Sequence, residues 1–143
     1  MRNTITVALL FMTTVFFAQS QGVLGKWKTI DDQTGEAKSI IEIYEKSGKV
    51  YGKVVEILNP ARKKDLCQNC EGEDKGKAIL NLVILKGLEK DGDEYNGGKI
   101  TDPQTGKVYK CLMTLEEKDK LKVRGYIGFS LIGRTQYWYR VKS

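Results

Sequence analysis

Apolar and polar residues alternate with a period of two along almost the whole chain from Gly25 to Lys142, and turn signals interrupt the alternation at short intervals. This rhythm is typical of β-strands that bury one face, whereas an amphipathic helix repeats every ~3.6 residues. The eight strands predicted on this basis cover residues 25–30, 38–45, 50–58, 78–88, 94–101, 107–117, 121–129 and 134–142. Apart from a single turn within 60–72, no stretch between them is predicted to be helical.

Most of the predicted connections are short hairpin turns, and only residues 59–76 form a long polar loop. Consecutive strands joined by hairpins form an antiparallel meander, and about eight strands can close into a small barrel that holds packed side chains or one small ligand. Closure also removes the unpaired edges of an open sheet. The expected fold class is therefore all-β, an eight-stranded antiparallel up-and-down barrel.

The first twenty residues have the three parts of an export signal. Arg2 is basic, residues 5–17 form an apolar run, and the sequence Ala-Gln-Ser at 18–20 places small residues where a signal peptidase cuts. The run is short for a bilayer span, which needs about 20 residues. We predict a removed signal peptide over 1–20, with cleavage after Ala18 as an alternative. The mature chain would then contain one domain, 22–142, in the periplasm or outside the cell, without a membrane span.

Charge and composition narrow the possible functions. The chain carries 24 Lys and Arg, 18 Asp and Glu and no histidine, for a net charge of +6. Basic and acidic residues are interleaved, which indicates solvated faces and argues against nucleic acid as a partner. The lack of histidine excludes Ser–His and Cys–His pairs and the commonest zinc ligand. Because no cofactor motif stands out either, we expect a non-catalytic protein without a cofactor.

Cys67 and Cys70 lie three residues apart in the long loop and fit a redox centre, half of a metal site or a local disulfide. A redox Cys-x-x-Cys normally opens a helix in a βαβ unit, and the acids that surround this pair disfavour a thiolate. A zinc site needs about four ligands, yet Cys111 falls on the inward face of the sixth strand. We predict a Cys67–Cys70 disulfide formed in an oxidising compartment, a buried free thiol at Cys111 and no metal.

Two glycines, Gly52 and Gly125, fall on the inward faces of the third and seventh predicted strands. A glycine inside a strand marks a bend or a place where another group approaches closely. Both interpretations remain open: a sharp bend of a small barrel, or room for a ligand. Ile127 and Phe129 continue the inward face of Gly125 in the predicted seventh strand.

Arg134, Gln136, Trp138 and Arg140 alternate along one face of the last predicted strand. They could lie on an outer face or pair with backbone carbonyls when buried. Alternatively, they could present hydrogen-bond donors and an aromatic surface to an anionic or amphipathic ligand at one barrel mouth. The candidate ligand-binding residues are Trp27, Gly52, Tyr109, Met113, Gly125, Arg134, Gln136, Trp138 and Arg140.

Three segments, DPQTGKVY (102–109), LKVRGYIG (121–128) and GRTQYWYR (133–140), closely resemble an uncharacterised bacterial family, domain-of-unknown-function family 2147. The resemblance runs from about Gly22 to Lys142. It implies an exported protein with a lipocalin-like (calycin-like) barrel and implies no established activity.

The sequence GKW at 25–27 is also similar to the Gly-x-Trp that opens lipocalin barrels. In lipocalins a late arginine packs over this tryptophan, and either Arg140 or Arg134 could do so here through a cation–π contact. The chain is shorter than true lipocalins and matches none of their other loop motifs.

Two functions fit these observations. The first is a binding module that holds a small apolar or amphipathic ligand in the barrel. The alternative is a structural or protein-interaction module of the envelope with a filled core. The lining and volume of the barrel interior distinguish them.

Overall fold

The computed structural model describes residues 22–129 and 132–142, and the predicted signal segment 1–20 lies outside them. The strands are β1 (Gly25–Ile30), β2 (Ala37–Lys46), β3 (Lys49–Ile57), β4 (Val83–Asp91), β5 (Glu94–Thr101), β6 (Val108–Glu117), β7 (Lys120–Tyr126) and β8 (Gly133–Arg140). Each strand pairs antiparallel with the next, and β8 pairs with β1, so the predicted closed up-and-down barrel is confirmed. Within the described ranges, no helix has the length and apolar character needed to cross a bilayer.

The up-and-down order gives the barrel two different ends. The loop end carries the β1–β2, β3–β4, β5–β6 and β7–β8 connections, and the cap end carries the other three turns and the entry of the chain at Gly22. Residues 22–142 supply every strand and the pairing that closes the barrel.

The predicted fourth strand is wrong in its first five residues, because the chain turns sharply before β4. Asn81 has a φ of 70°, in the left-handed region, and Leu82 donates its backbone N–H to the carbonyl of Ile79 at 3.0 Å. Leu82 is buried in the core and Ile79 packs against it. The segment is therefore apolar because it packs the long loop onto the barrel. From the sequence alone, a continuous apolar run of this kind cannot be distinguished from a buried strand.

Two loop-end turns, 31–36 and 102–107, share the sequence Asp-x-Gln-Thr-Gly and the same pair of backbone hydrogen bonds between the aspartate and the end of the turn. In each turn the glycine, Gly35 or Gly106, donates its N–H to the carbonyl of the aspartate at 2.8 Å. Both glycines have φ near +70° (+71° and +73°), which costs a residue without Cβ nothing. A side chain at Gly106 would also collide with the backbone carbonyl of Asn69, so this glycine lets the long loop pack on the turn.

Side chains from the strands fill the barrel interior. Its largest fully buried side chains are Trp27, Trp138, Ile41, Ile43, Leu85, Leu88, Met113 and Leu121, all less than 2% exposed. The strands also approach closely, since a Cβ on Gly98 would lie 2.7 Å from the backbone nitrogen of Leu88. Burial of each large apolar side chain stabilises the fold by about 1.5–3 kcal/mol, so this interior is the core of the domain.

Candidate functional site

The cap end is closed by Arg140, the last residue of β8. Its guanidinium lies 4.3 Å from the centre of the Trp27 ring, and Arg134 does not share this role. The nitrogens of Arg140 donate to three backbone carbonyls, those of Gly22 (2.6 Å), Leu24 (3.0 Å) and Lys118 (3.0 and 3.1 Å). The carboxylate of Asp119 lies 3.3 Å from Nε. Trp27 and Arg140, both predicted as ligand-binding residues, are therefore engaged with the protein itself.

The middle of the barrel is packed. Trp138 and Met113 are buried, and the Trp138 indole N–H donates to Oε1 of Gln136 at 3.3 Å. Cys111 is buried beside them in the same core, and burial raises the pKa of its thiol to about 12. A thiol with this pKa stays protonated near neutral pH and is a poor nucleophile.

The space above each of the two inward glycines is occupied by a neighbouring side chain. A Cβ on Gly52 would lie 2.9 Å from Cδ1 of Leu85 and 3.1 Å from Cγ2 of Ile41. A Cβ on Gly125 would lie 3.3 Å from Cβ of Tyr109. Both glycines thus make room for protein side chains, and their part in ligand binding stays a prediction.

The remaining candidates lie at or near the loop end and keep partial access to solvent. Arg134 is exposed and forms an ion pair with the carboxylate of Asp32 on the β1–β2 turn. Gln136 and Tyr109 are half-buried. Together with Gly125, which pairs with Arg134 across β7 and β8, they form what we call the rim: Tyr109, Gly125, Arg134 and Gln136. A cation, an amide and a phenol beside an apolar core suit an amphipathic anion.

The disulfide between Cys67 and Cys70 is present, as predicted. We call residues 58–82 the disulfide loop. Both cysteines are buried, and Asn69 donates its side-chain N–H to the carbonyl of Gln104 at 3.3 Å, which ties the disulfide loop to the β5–β6 turn. Cys111 does not join the pair, and in the described part of the chain no three His, Cys, Asp or Glu residues are grouped to hold a metal ion.

Two surface grooves flank the disulfide loop, with volumes of about 470 Å³ and 420 Å³. The first is lined by loop residues and the start of β4, including Asp74 and Lys86, and the second by residues such as Arg62 and Gln104. Neither groove includes a predicted ligand-binding residue, and both lie outside the barrel.

Sequence reasoning missed the surface made by the β7–β8 connection. Ile127 and Phe129 were expected to face inward on the seventh strand, but β7 ends at Tyr126. Ile127, Phe129 and Ile132 are 58%, 85% and 69% exposed. The signal that could have identified them is the pair of glycines at 128 and 133, which interrupts the alternation and favours a turn.

Comparison with known proteins agrees with this architecture. A family model described as "uncharacterized protein conserved in bacteria (DUF2147)" matches residues 25–140. Among solved structures, the chain is similar to protein HP1028 from the human pathogen Helicobacter pylori, which belongs to the lipocalin family. The TM-score is 0.73 at 20% identity, covering 83% of this chain and 82% of that one. At this identity the likeness shows a shared fold. No functionally curated protein matches the chain.

Proposed function

Since the chain belongs to the family of uncharacterized proteins conserved in bacteria (DUF2147) and folds as a lipocalin-like barrel, we propose that it is an exported, non-catalytic protein that binds a small amphipathic ligand at the rim. The ligand lies at the loop end of the barrel and not deep inside it. Its polar group meets Arg134 and Gln136, and its apolar part covers Tyr109 and the β7–β8 connection.

The observation that carries this proposal is the gradient of burial along β8. Arg140 and Trp138 are engaged in the cap and the core, whereas Gln136 is half-buried and Arg134 is exposed. The inward row of β8 is therefore buried at one end and reaches solvent at the other, where Arg134 pairs with Asp32. Arg134 pairs with Asp32 through two of its nitrogens, and the remaining N–H groups of its exposed guanidinium could bind a carboxylate or phosphate.

Two further observations support an exported and non-catalytic role. A disulfide such as Cys67–Cys70 persists in oxidising compartments, which fits the export signal read from residues 1–20. The remaining cysteine, Cys111, is buried with a raised pKa, so it is unsuited to nucleophilic catalysis.

Binding of dansyl-undecanoic acid, a fluorescent amphipathic anion, tests the proposal on the protein without residues 1–20. We expect saturable binding of one probe per barrel, with enhanced dansyl fluorescence. Arg134→Met should weaken the affinity about tenfold, the equivalent of about 1.4 kcal/mol. The matched control is Lys49→Met, which removes an exposed, ion-paired cation from the opposite end of the barrel. Absence of saturable binding, or equal affinities for the two variants, would overturn the proposal.

The second candidate function is a structural or protein-interaction module, and the filled interior favours it. Leu85 and Ile41 occupy the space beside Gly52, and the two tryptophans are fully buried. Crosslinking in the producing bacterium distinguishes the candidates: a single protein partner captured through the rim, with no dansyl-undecanoic acid bound, supports this second function.

A further inference from the structure

The β7–β8 connection presents three large apolar side chains to solvent: Ile127, Phe129 and Ile132. Its ends are held by two backbone hydrogen bonds, from the N–H of Ile127 to the carbonyl of Ile132 at 3.0 Å and from the N–H of Ile132 to the carbonyl of Phe129 at 3.1 Å. Single exposed apolar residues are common on protein surfaces, but a group of them on one projecting connection marks an interaction site. We call the described residues of this connection, 127–129 and 132, the apolar loop.

A row of lysines crosses the outer wall beside this loop. Lys86, Lys99 and Lys110 lie directly opposite one another on β4, β5 and β6, and Lys110 in turn pairs with Tyr126, the last residue of β7. Each lysine lies within three residues of the loop end of its strand, or about 10 Å at ~3.3 Å per residue. The lysine row and the apolar loop are therefore neighbours.

The lysine row is electrostatically unfavourable in the isolated protein. Like charges directly opposite on adjacent strands destabilise a sheet. Lys86 is compensated by the carboxylate of Asp74 at 2.6 Å, whereas no carboxylate of the described residues forms an ion pair with Lys99 or Lys110. Two exposed, adjacent ammonium groups without a counter-charge are suited to an anionic partner.

We propose that the loop end of the barrel docks on an anionic lipid surface. The apolar loop inserts Ile127, Phe129 and Ile132 between the lipid headgroups, while Lys99 and Lys110 contact the negatively charged headgroups. Apolar side chains beside basic residues are the combination by which peripheral proteins lie on such membranes. The docking goes beyond the proposed ligand binding and does not require it.

The chemistry of this surface favours a lipid over a protein partner. Protein interfaces are depleted of lysine in their buried centres, where arginine and aromatic residues predominate. A lysine near an anionic membrane keeps its hydration and still contributes to binding. Val108, 51% exposed at the start of β6, extends the apolar surface between the loop end and the lysine row.

Sedimentation with lipid vesicles tests the docking on the protein without residues 1–20. The two vesicle types are pure phosphatidylcholine and phosphatidylcholine with about 30% phosphatidylglycerol. We expect binding to the anionic vesicles that weakens with added salt. The double variant Ile127→Ser with Phe129→Ser should lower the partition coefficient at least about tenfold, because two exposed apolar side chains no longer leave water.

The charge contribution is tested with two pairs of lysine variants that change net charge equally. Lys99→Gln with Lys110→Gln should lower the partition coefficient about fivefold per lysine, the equivalent of about 1 kcal/mol for each cation at an anionic surface. Lys49→Gln with Lys53→Gln, on β3, is the matched control and should have a much smaller effect. Equal losses for the two pairs would show attraction by net charge alone and overturn the proposed orientation.

Two other results would also overturn the docking. One is the absence of binding to anionic vesicles by the wild-type protein. The other combines two observations: light scattering shows that the wild-type protein is a dimer and the Ile127→Ser, Phe129→Ser variant is not, and the two proteins bind vesicles equally. The apolar loop would then be an interface between copies of this chain. The urea midpoint of every variant is measured alongside to show that the barrel is intact.

Discussion

Arg140 shows how one side chain can stabilise several parts of the barrel at once. Its guanidinium covers Trp27 and donates to backbone carbonyls of the chain entry and of the β6–β7 turn. The planar fork of arginine can reach these acceptors together, while the ammonium of lysine is a compact point charge. The Arg140 contacts therefore depend on the shape of the group as well as on its charge.

We predict that Arg140→Lys lowers the free energy of unfolding by about 2 kcal/mol, because several hydrogen bonds from a charged group are lost together. Arg134→Lys should cost less than about 0.5 kcal/mol, since Arg134 forms an exposed ion pair. Urea denaturation of the two variants beside wild type gives both values. Equal losses would contradict the role assigned to Arg140.

At the scale of single residues, the sequence predicts which face of a strand a side chain lies on more reliably than what that side chain contacts. Alternation along β8 placed Arg134, Gln136, Trp138 and Arg140 on one side, and the structure places Trp138 in the core and Arg140 over Trp27. The sequence could not show that the row runs from a packed end to an open end, because alternation carries no information about depth along a barrel. The same holds for Gly52, whose neighbours Leu85 and Ile41 come from other strands.

At the scale of elements, the sequence predicts the hairpins of half-buried strands well. It does not predict whether a continuous apolar run forms a strand. The apolar character of residues 78–82 predicts a strand, yet this run packs the disulfide loop onto the core. Alternation predicts that the seventh strand continues through residues 127–129, yet these residues lie beyond β7 and are exposed. In both cases tertiary packing, and not local periodicity, decides whether an apolar run is a strand.

The disulfide loop is also attached to the barrel wall by Asp74. The hydrogen bond from Lys86 holds the pKa of the Asp74 carboxyl below its ordinary value of 3.8, although partial burial opposes this shift. A carboxyl whose pKa is lowered by folding stabilises the protein above its unfolded-state pKa, and this stabilisation is lost as the pH falls through the lower folded-state pKa.

We therefore predict a pH-dependent difference in unfolding free energy between wild type and Asp74→Asn. Wild type should be more stable at about pH 6, and the difference should shrink towards zero as the pH falls below the ordinary aspartate pKa of 3.8 and through the lower pKa of Asp74 in the folded protein. Urea denaturation across this range measures it. In a Lys86→Met background the effect of Asp74→Asn should be smaller. A difference that stays constant from pH 6 to pH 2 would contradict the pairing.

At the scale of the whole molecule, the barrel is closed along one short seam. β1 and β8 share two paired positions, Trp27 with Arg140 and Lys28 with Tyr139, and the N–H of Val141 donates to the carbonyl of Lys26 at 2.9 Å. One of these two pairs, Trp27 with Arg140, also forms the cation–π contact. Closure of the sheet and coverage of the cap end therefore depend on the same pair.

The eight strands, their order and the closed barrel were all predictable, because each follows from local alternation and short turns. The filled interior was not, since it depends on which side chains from different strands meet. The filled interior limits where a ligand can bind, because side chains from the strands occupy the space that a ligand inside the barrel would need. The rim, the apolar loop and the lysine row all lie outside this filled interior.

Diffraction from a xenon-pressurised crystal tests the filled interior most directly, because xenon enters dry apolar cavities of sufficient size. We predict no xenon site enclosed by the barrel, since Trp27, Trp138, Leu85 and Met113 are buried against their neighbours. An ordered xenon atom surrounded by these side chains would contradict the account and return the ligand to the centre of the barrel.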